Sequence, residues 1–164
     1  MLQGRLPNPV ALDAKGRLVV PKAIRNEVAD REGVATFHVG CLLEPCLYLH
    51  TEFQHTEFIS ALEAQLDNGE AGRRLKTQVH ECFCPVTTDK TGRITIPDYL
   101  LKAAAITDRV SVVGMRERVE LWQWKGPDPI SAHRDNPDFR AGLESALSAP
   151  SKGLRPSSRP EESE

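Results

Sequence analysis

The chain has 164 residues, 40% of them hydrophobic but only 5% aromatic, with a formal net charge of −2. That length allows one ordinary domain or two small intertwined units, and the overall charge is not that of a uniformly basic nucleic-acid binder. No apolar run approaches the length of a membrane span and Met1 to Asp13 lacks the apolar core of a signal peptide, so a cytosolic location with reduced thiols is expected.

In chain order, residues 1–11 carry Arg5, Pro7 and Pro9 and read as an extended lead-in. Leu12-Asp13-Ala14-Lys15-Gly16-Arg17-Leu18-Val19-Val20-Pro21 follows. Gly16 comes after polar residues and marks a turn with positive φ, and Asp13 can accept backbone N–H bonds across that turn. Leu18 to Val20 favour a strand, and Pro21 ends it and suits the first turn of a helix over Lys22–Val28. Strands are expected at Val39-Gly40 and Leu47-Tyr48-Leu49. Thr51-Glu52-Phe53-Gln54 has the form of a capping box, after which Phe53, Ile59, Leu62 and Leu66 fall near one helical face. Asn68-Gly69 breaks that helix, and a second is expected from Ala71 to about His80, with Leu75 and Val79 buried.

Thr88-Asp89-Lys90-Thr91-Gly92-Arg93-Ile94-Thr95-Ile96-Pro97 repeats the first hairpin as Asp-x-x-Gly-Arg-apolar-x-apolar-Pro, at an offset of 89 − 13 = 76 residues. A helical stretch over Asp98–Ala105 follows, as in the first copy. Val113-Gly114 and Leu121-Trp122-Gln123 align with Val39-Gly40 and Leu47-Tyr48-Leu49 at an offset of 74, with Trp122 expected inward. From Gly126 on, six of the 12 prolines, serine clusters and the acidic end Glu161-Glu162-Ser163-Glu164 read as a disordered tail, apart from a short helix around Phe139–Leu147.

One copy of the repeat is too small to bury its own core, so copies and chains must pack together. The residues Leu12 to Arg17, Pro21 and Arg25, Cys46 to Leu49, Arg73-Arg74, Asp89 with Gly92 to Pro97, Val112 to Gly114 and Glu120 to Trp122 resemble the MraZ family of bacterial transcriptional regulators. The resemblance spans roughly residues 1 to 125. It implies an α+β fold of two tandem swapped-hairpin (SpoVT/AbrB-like) repeats forming a pseudo-symmetric small β-barrel, with helices between the repeats and a disordered C-terminal tail. The expected divisions are 7–52 for the DNA-contacting repeat, 53–81 for the helical insert, 82–125 for the second repeat and 126–164 for the tail.

Charge is distributed unevenly: residues 1–25 hold five basic groups and one acid, whereas residues 41–72 hold six acids and no Lys or Arg. Such asymmetry points to polyanion binding more strongly than the total does. A two-stranded β element can enter the major groove, and Lys15 and Arg17 flank Gly16 at an exposed hairpin. Lys22 and Arg25 share a helical face, and Arg5 can extend that surface. Lys15, Arg17, Lys22, Arg25 and Arg5 are therefore the expected DNA-binding set, and the resemblance singles out Arg17 as the motif arginine. Asp13, Gly16, Asp89, Gly92 and Arg93 are read as the structural turn motif, with Arg93 buried beside Asp89 in a scaffold half.

Cys41, Cys46, Cys82, Cys84 and the five histidines lack zinc-ligand spacing, so buried small cysteines are expected, with no metal and no cofactor. No nucleophile elbow, P-loop or HExxH pattern is present, and no enzyme activity is expected. The family further implies a ring of identical chains on short direct repeats upstream of the division and cell-wall genes, usually repressing them, in the cytoplasm and on the nucleoid. The other readings are a partner-binding module of antitoxin type and a hydrolase with a Cys/His metal site.

Overall fold

The computed structural model describes residues 2–148. They divide into a body ending at Lys125 and a separate unit from Gly126 on. In the body, β1 (Gly4–Arg5) and β2 (Val10–Ala11) lead to β3 (Arg17–Val19) and the short helix α1 (Lys22–Arg25). Then come β4 (Thr36–Gly40), β5 (Leu47–Thr51), α2 (Glu52–Glu63) and α3 (Glu70–Glu81). The second half follows with β6 (Phe83–Thr87), β7 (Arg93–Thr95), α4 (Asp98–Ala103), β8 (Arg109–Gly114) and β9 (Val119–Gln123). Pro21 and Pro97 cap α1 and α4 from the N-cap position, so each proline ends a strand and starts a helix.

The two halves are joined through their strands. β3 pairs with β7, antiparallel, with Arg17 opposite Thr95, Leu18 opposite Ile94 and Val19 opposite Arg93. β2 of the first half pairs with β8 of the second, and β6 of the second with β4 of the first. β5 and β9 meet about Tyr48 and Glu120, which face each other. The larger sheet runs β1-β8-β9-β5-β4-β6, with β2 also on β8, and β3–β7 forms a separate ribbon. The expected closed barrel is therefore not found among the described residues: the outer strands β1 and β6 do not pair, and the sheet stays open.

Strand pairing also corrects the alignment of the second block. Tyr48 corresponds to Glu120, an offset of 72, and Phe37 to Val110, an offset of 73, instead of 74 throughout. Matching the Val-Gly pairs slips the register by one residue, which turns each side chain to the other face. Val39 and Val112, both fully buried, are the true equivalents. The same alternation puts Leu121 in the core, and Trp122 lies on the opposite face against Tyr48 and Phe83.

The main core unites Leu18, Val20, Ile24, Phe37, Val39, Leu47 and Leu49 with Ile94, Ile96, Leu100, Val110, Val112 and Leu121. Apolar side chains from both repeats fill one interior, as their individual size requires. Thr51 caps α2 as a full capping box: the Gln54 N–H donates to Thr51 Oγ1 at 3.2 Å and the Thr51 N–H to Gln54 Oε1 at 3.0 Å. The insert is otherwise less buried than its periodicity predicts. Phe53 is 74% exposed and Leu75, expected inside, is 42% exposed. Only Phe58 and Val79 of the pair reach the second cluster, around Cys46, Tyr48 and Phe83.

The unit from Gly126 is helical where it is described. Asp128 caps α5 (Pro129–Arg134), and α6 spans Pro137–Ser148, enclosing the short helix expected near 139–147. The rest of the expected disordered tail, from 149, lies outside the described residues.

Helix α4 ends on a non-glycine residue at positive φ. Ala105 sits at φ 52°, its N–H donates to the Lys102 carbonyl, and the Ile106 N–H to the Leu101 carbonyl at 2.9 Å. This is a Schellman closure with alanine where glycine is preferred. Ala105→Gly is expected to stabilise the protein by about 0.5–1 kcal/mol, since a left-handed alanine costs about 1–2 kcal/mol and glycine's greater unfolded-state freedom offsets part of the gain. The midpoint of urea unfolding checks this.

Candidate nucleic-acid interface

Each repeat builds the same turn from one aspartate. In the first, Asp13 Oδ1 accepts the N–H groups of Lys15 at 2.9 Å and Arg17 at 3.0 Å, and Oδ2 accepts Arg17 Nε at 2.7 Å. In the second, Asp89 Oδ1 accepts Thr91 N–H at 2.8 Å and Arg93 N–H at 3.0 Å, and Oδ2 accepts Arg93 Nε at 2.8 Å. These N–H donors, led by the backbone N–H of the motif arginine, hold both carboxyls below their usual range. Asp13 thus both caps its turn and pairs with Arg17. The pairing uses Nε alone, and no Nη atom of either arginine hydrogen-bonds among the described residues.

The β3–β7 ribbon has two unlike faces. Leu18 and Ile94 point into the core at 1% and 0% exposure. Arg17, Val19, Arg93 and Thr95 alternate with them and face outward. Arg93 differs here from the expectation of a buried scaffold residue: its side chain is 35% exposed, against 32% for Arg17. The cause is the exact-register repeat, because two strands with the same Arg-apolar-x pattern, paired about Leu18 and Ile94, must expose both arginines. Val19 and Thr95 were not singled out from the sequence. The burial of Leu18 and Val20 on one side of the strand implies an outward Val19, and that alternation was the available signal.

The other expected contact residues do not all share this face. Lys15, at the turn, and Lys22, at the start of α1, are exposed. Arg25 donates from Nε to the Val20 carbonyl at 2.8 Å, and its guanidinium lies over Gly92, where an added Cβ would come within 2.5 Å of its Cζ. Leu101 holds the matching place over Gly16 in the other repeat, so Arg25 braces the second turn. Arg5 stacks its guanidinium on the Trp124 ring at 4.5 Å, on β1 at the β8 edge, apart from the ribbon.

The two turn glycines differ in what surrounds them. Both have positive φ, 72° at Gly16 and 77° at Gly92. A Cβ on Gly16 would meet the Ile96 carbonyl oxygen at 2.9 Å, whereas one on Gly92 would meet the flexible end of Arg25. Gly92→Ala is expected to cost about 1–2 kcal/mol for the left-handed backbone plus about 1 kcal/mol for displacing Arg25 from the Val20 carbonyl, and Gly16→Ala the same backbone penalty plus the movement of fixed backbone at Ile96. Urea unfolding of the two variants side by side measures both costs.

Three of the histidines, His38, His50 and His55, cluster where α2 meets β4 and β5. His38 and His50 are cross-strand neighbours, and His55 of α2 stacks on His38 at 4.0 Å between ring centroids. Burial lowers the pKa of His50 and of His55 to about 4. Cys46 is fully buried, and burial pushes its thiol up to about 12. All four cysteines are free thiols, and no group of three or more His, Cys, Asp or Glu among the described residues stands close enough to hold a metal ion. No helix among the described residues is long and apolar enough to cross a membrane.

A two-repeat α+β body displaying twin Asp-x-x-Gly-Arg turns on a shared ribbon is the class that fold and site define. Comparison with known proteins makes it specific. Residues 84–141 match the family model of the MraZ protein, described there as a candidate antitoxin-like family. The chain is 31% identical to the transcriptional regulator MraZ of Coxiella burnetii over 122 residues, 72% of this chain and 80% of that protein. It is 32% identical over 127 residues to the MraZ regulator of Mesoplasma florum, covering 77% and 83% of the two chains. With that of Caulobacter vibrioides it shares 31% over 124 residues, 75% and 76% of the two. The chain belongs to the MraZ family.

Proposed function

We propose that this protein is a sequence-specific DNA-binding transcriptional regulator that grips duplex DNA with the outward face of the β3–β7 ribbon. The observation that carries the reading is the juxtaposition of Arg17 and Arg93 on one two-stranded ribbon, each preset by its own aspartate. A ribbon of this kind fits the major groove, and arginine is suited to bidentate contact with guanine or phosphate. Lys15 and Lys22 add phosphate contacts at the first turn. The relatives' name, transcriptional regulator, supports the same reading.

The cross-repeat pairing of β2 with β8 and β6 with β4 supports two swapped-hairpin repeats, 7–52 and 82–125, separated by the insert 53–81. One ribbon makes few phosphate contacts and binds weakly at physiological salt. A ring of identical chains multiplies the contact and favours tandem direct repeats. Binding at such repeats upstream of the division and cell-wall genes, its own among them, blocks polymerase and represses them. No cofactor is needed. A footprint on the DNA upstream of its own gene, titrated against salt, tests this: protection should recur at a fixed interval and fade steeply as salt rises. Uniform or absent protection refutes it.

A second reading, a partner-binding module of antitoxin type, is favoured by one feature of the unit from Gly126. Phe139, Leu143 and Leu147 form an i, i+4, i+8 stripe on α6, at 46%, 45% and 77% exposure. A toxin gene beside this one would support that reading, and cell-division genes would support the regulator.

A further inference from the structure

Between the two arginines of the ribbon lie two side chains without charge. Val19 is 44% exposed although valine is usually buried, and Thr95, its counterpart in the second repeat, is exposed as well. We infer that Val19 and Thr95 read thymine, each placing a methyl group against the C5-methyl of a thymine in the major groove. The inference rests on the ribbon being the DNA-contacting face.

Three observations carry it. First, Val19 stands directly opposite Arg93, and Thr95 opposite Arg17. The Val20 N–H to Gly92 carbonyl and Ile96 N–H to Gly16 carbonyl bonds make the neighbouring pairs the hydrogen-bonded ones. The Arg17–Thr95 and Val19–Arg93 pairs are therefore of the close, non-hydrogen-bonded kind, with Cα atoms about 4.5 Å apart. An arginine seated on a base edge thus brings its methyl-bearing neighbour to the adjoining step.

Second, two residues along an antiparallel strand advance about 6.8 Å, close to two base steps of about 3.4 Å. Arg17 and Val19 can then follow one groove without either lifting away. Third, the surroundings are cationic. Lys15 and Lys90 sit exposed on the two turns and Lys22 is exposed at the start of the helix that follows β3, so an exposed apolar spot here faces a polyanion and not a greasy protein surface. Of the four bases only thymine offers a methyl in the major groove, and valine and threonine methyls match it.

The test uses the full-length protein and the operator duplex found by footprinting, with each thymine replaced in turn by deoxyuridine, which lacks only the methyl. Fluorescence anisotropy should show the wild type losing about fourfold in affinity at one or two thymines per repeat, the worth of about one buried methyl. Val19→Ala should bind the parent duplex about fourfold more weakly and become indifferent to uracil at one of those thymines. Thr95→Ser should do the same at its dyad mate. The salt slope of both variants should stay that of the wild type, because no phosphate contact is lost. An operator that tolerates uracil everywhere, or a Val19→Ala variant that still discriminates, overturns the inference while leaving DNA binding intact. No binding to any duplex overturns the proposed function instead.

Discussion

Arg17→Ala is expected to weaken operator binding about a hundredfold while leaving the size of the assembly unchanged. An arginine on a guanine edge contributes about 1–3 kcal/mol, and the loss recurs in each protomer engaged on tandem sites, so two protomers suffice for that factor. The salt dependence should also flatten by about one counterion per engaged protomer if Arg17 touches phosphate. Folding should suffer less, since Arg17 is a third exposed and its Nε bond to Asp13 is a surface pair. Gel shift, light scattering and thermal melting separate the three quantities. Arg93→Ala should weaken binding in the same direction, because the register places it as Arg17 is placed and its exposure is nearly equal. Intact binding in Arg93→Ala, with loss in Arg17→Ala, would return the second repeat to a purely supporting role.

The second arginine shows where sequence reading succeeds and where it stops. The repeat itself was legible, because Asp-x-x-Gly-Arg fixes a turn by local rules: positive φ at glycine, carboxylate on successive N–H groups. The capping box at Thr51 was legible for the same reason. What pairs with what is not local. Nothing within residues 88–97 says that β7 pairs with β3, and that pairing puts Arg93 on the surface. Lys15 and Arg17 reach the surface at the first turn, as the pattern implies, whereas Arg25, equally basic, crosses to the other repeat and lies over Gly92. Arg5 likewise found Trp124, 119 positions along the chain. Phe53 and Leu75 fit a helical stripe, but periodicity tells which side of a helix is apolar and not whether anything covers it.

The histidine cluster under α2 leads to the other large effect, a loss of stability in mild acid. His50 of β5 is 2% exposed and packed by Tyr48, Phe58 and Phe83, with His55 tilted against it at 5.8 Å. Its Nδ1, like that of His55, is buried without a hydrogen-bond partner. Burial and the neighbouring His55, Arg118 and His38 all oppose a positive charge, and only Glu52, beside His38, favours one in the cluster. In the unfolded chain these imidazoles protonate near pH 6.5, in the folded protein near pH 4 for His50 and His55. The folded state therefore binds fewer protons in that window, so stability is complete above about pH 6.5 and falls as pH drops towards 4. His50 alone should account for about 2–3 kcal/mol, and His55, more open to solvent, for less. Urea unfolding between pH 7.5 and 4.5 measures the slope, and His50→Leu should flatten much of it while leaving the neutral-pH midpoint close to that of the wild type, because leucine fills the same apolar site without a proton to gain. An unchanged slope in His50→Leu would move the acid sensitivity away from this cluster. The loss should begin where α2 covers β4 and β5, because the charge appears beneath that helix, so hydrogen exchange in residues 52–63 should rise at pH 5 before exchange in β3 and β7 does.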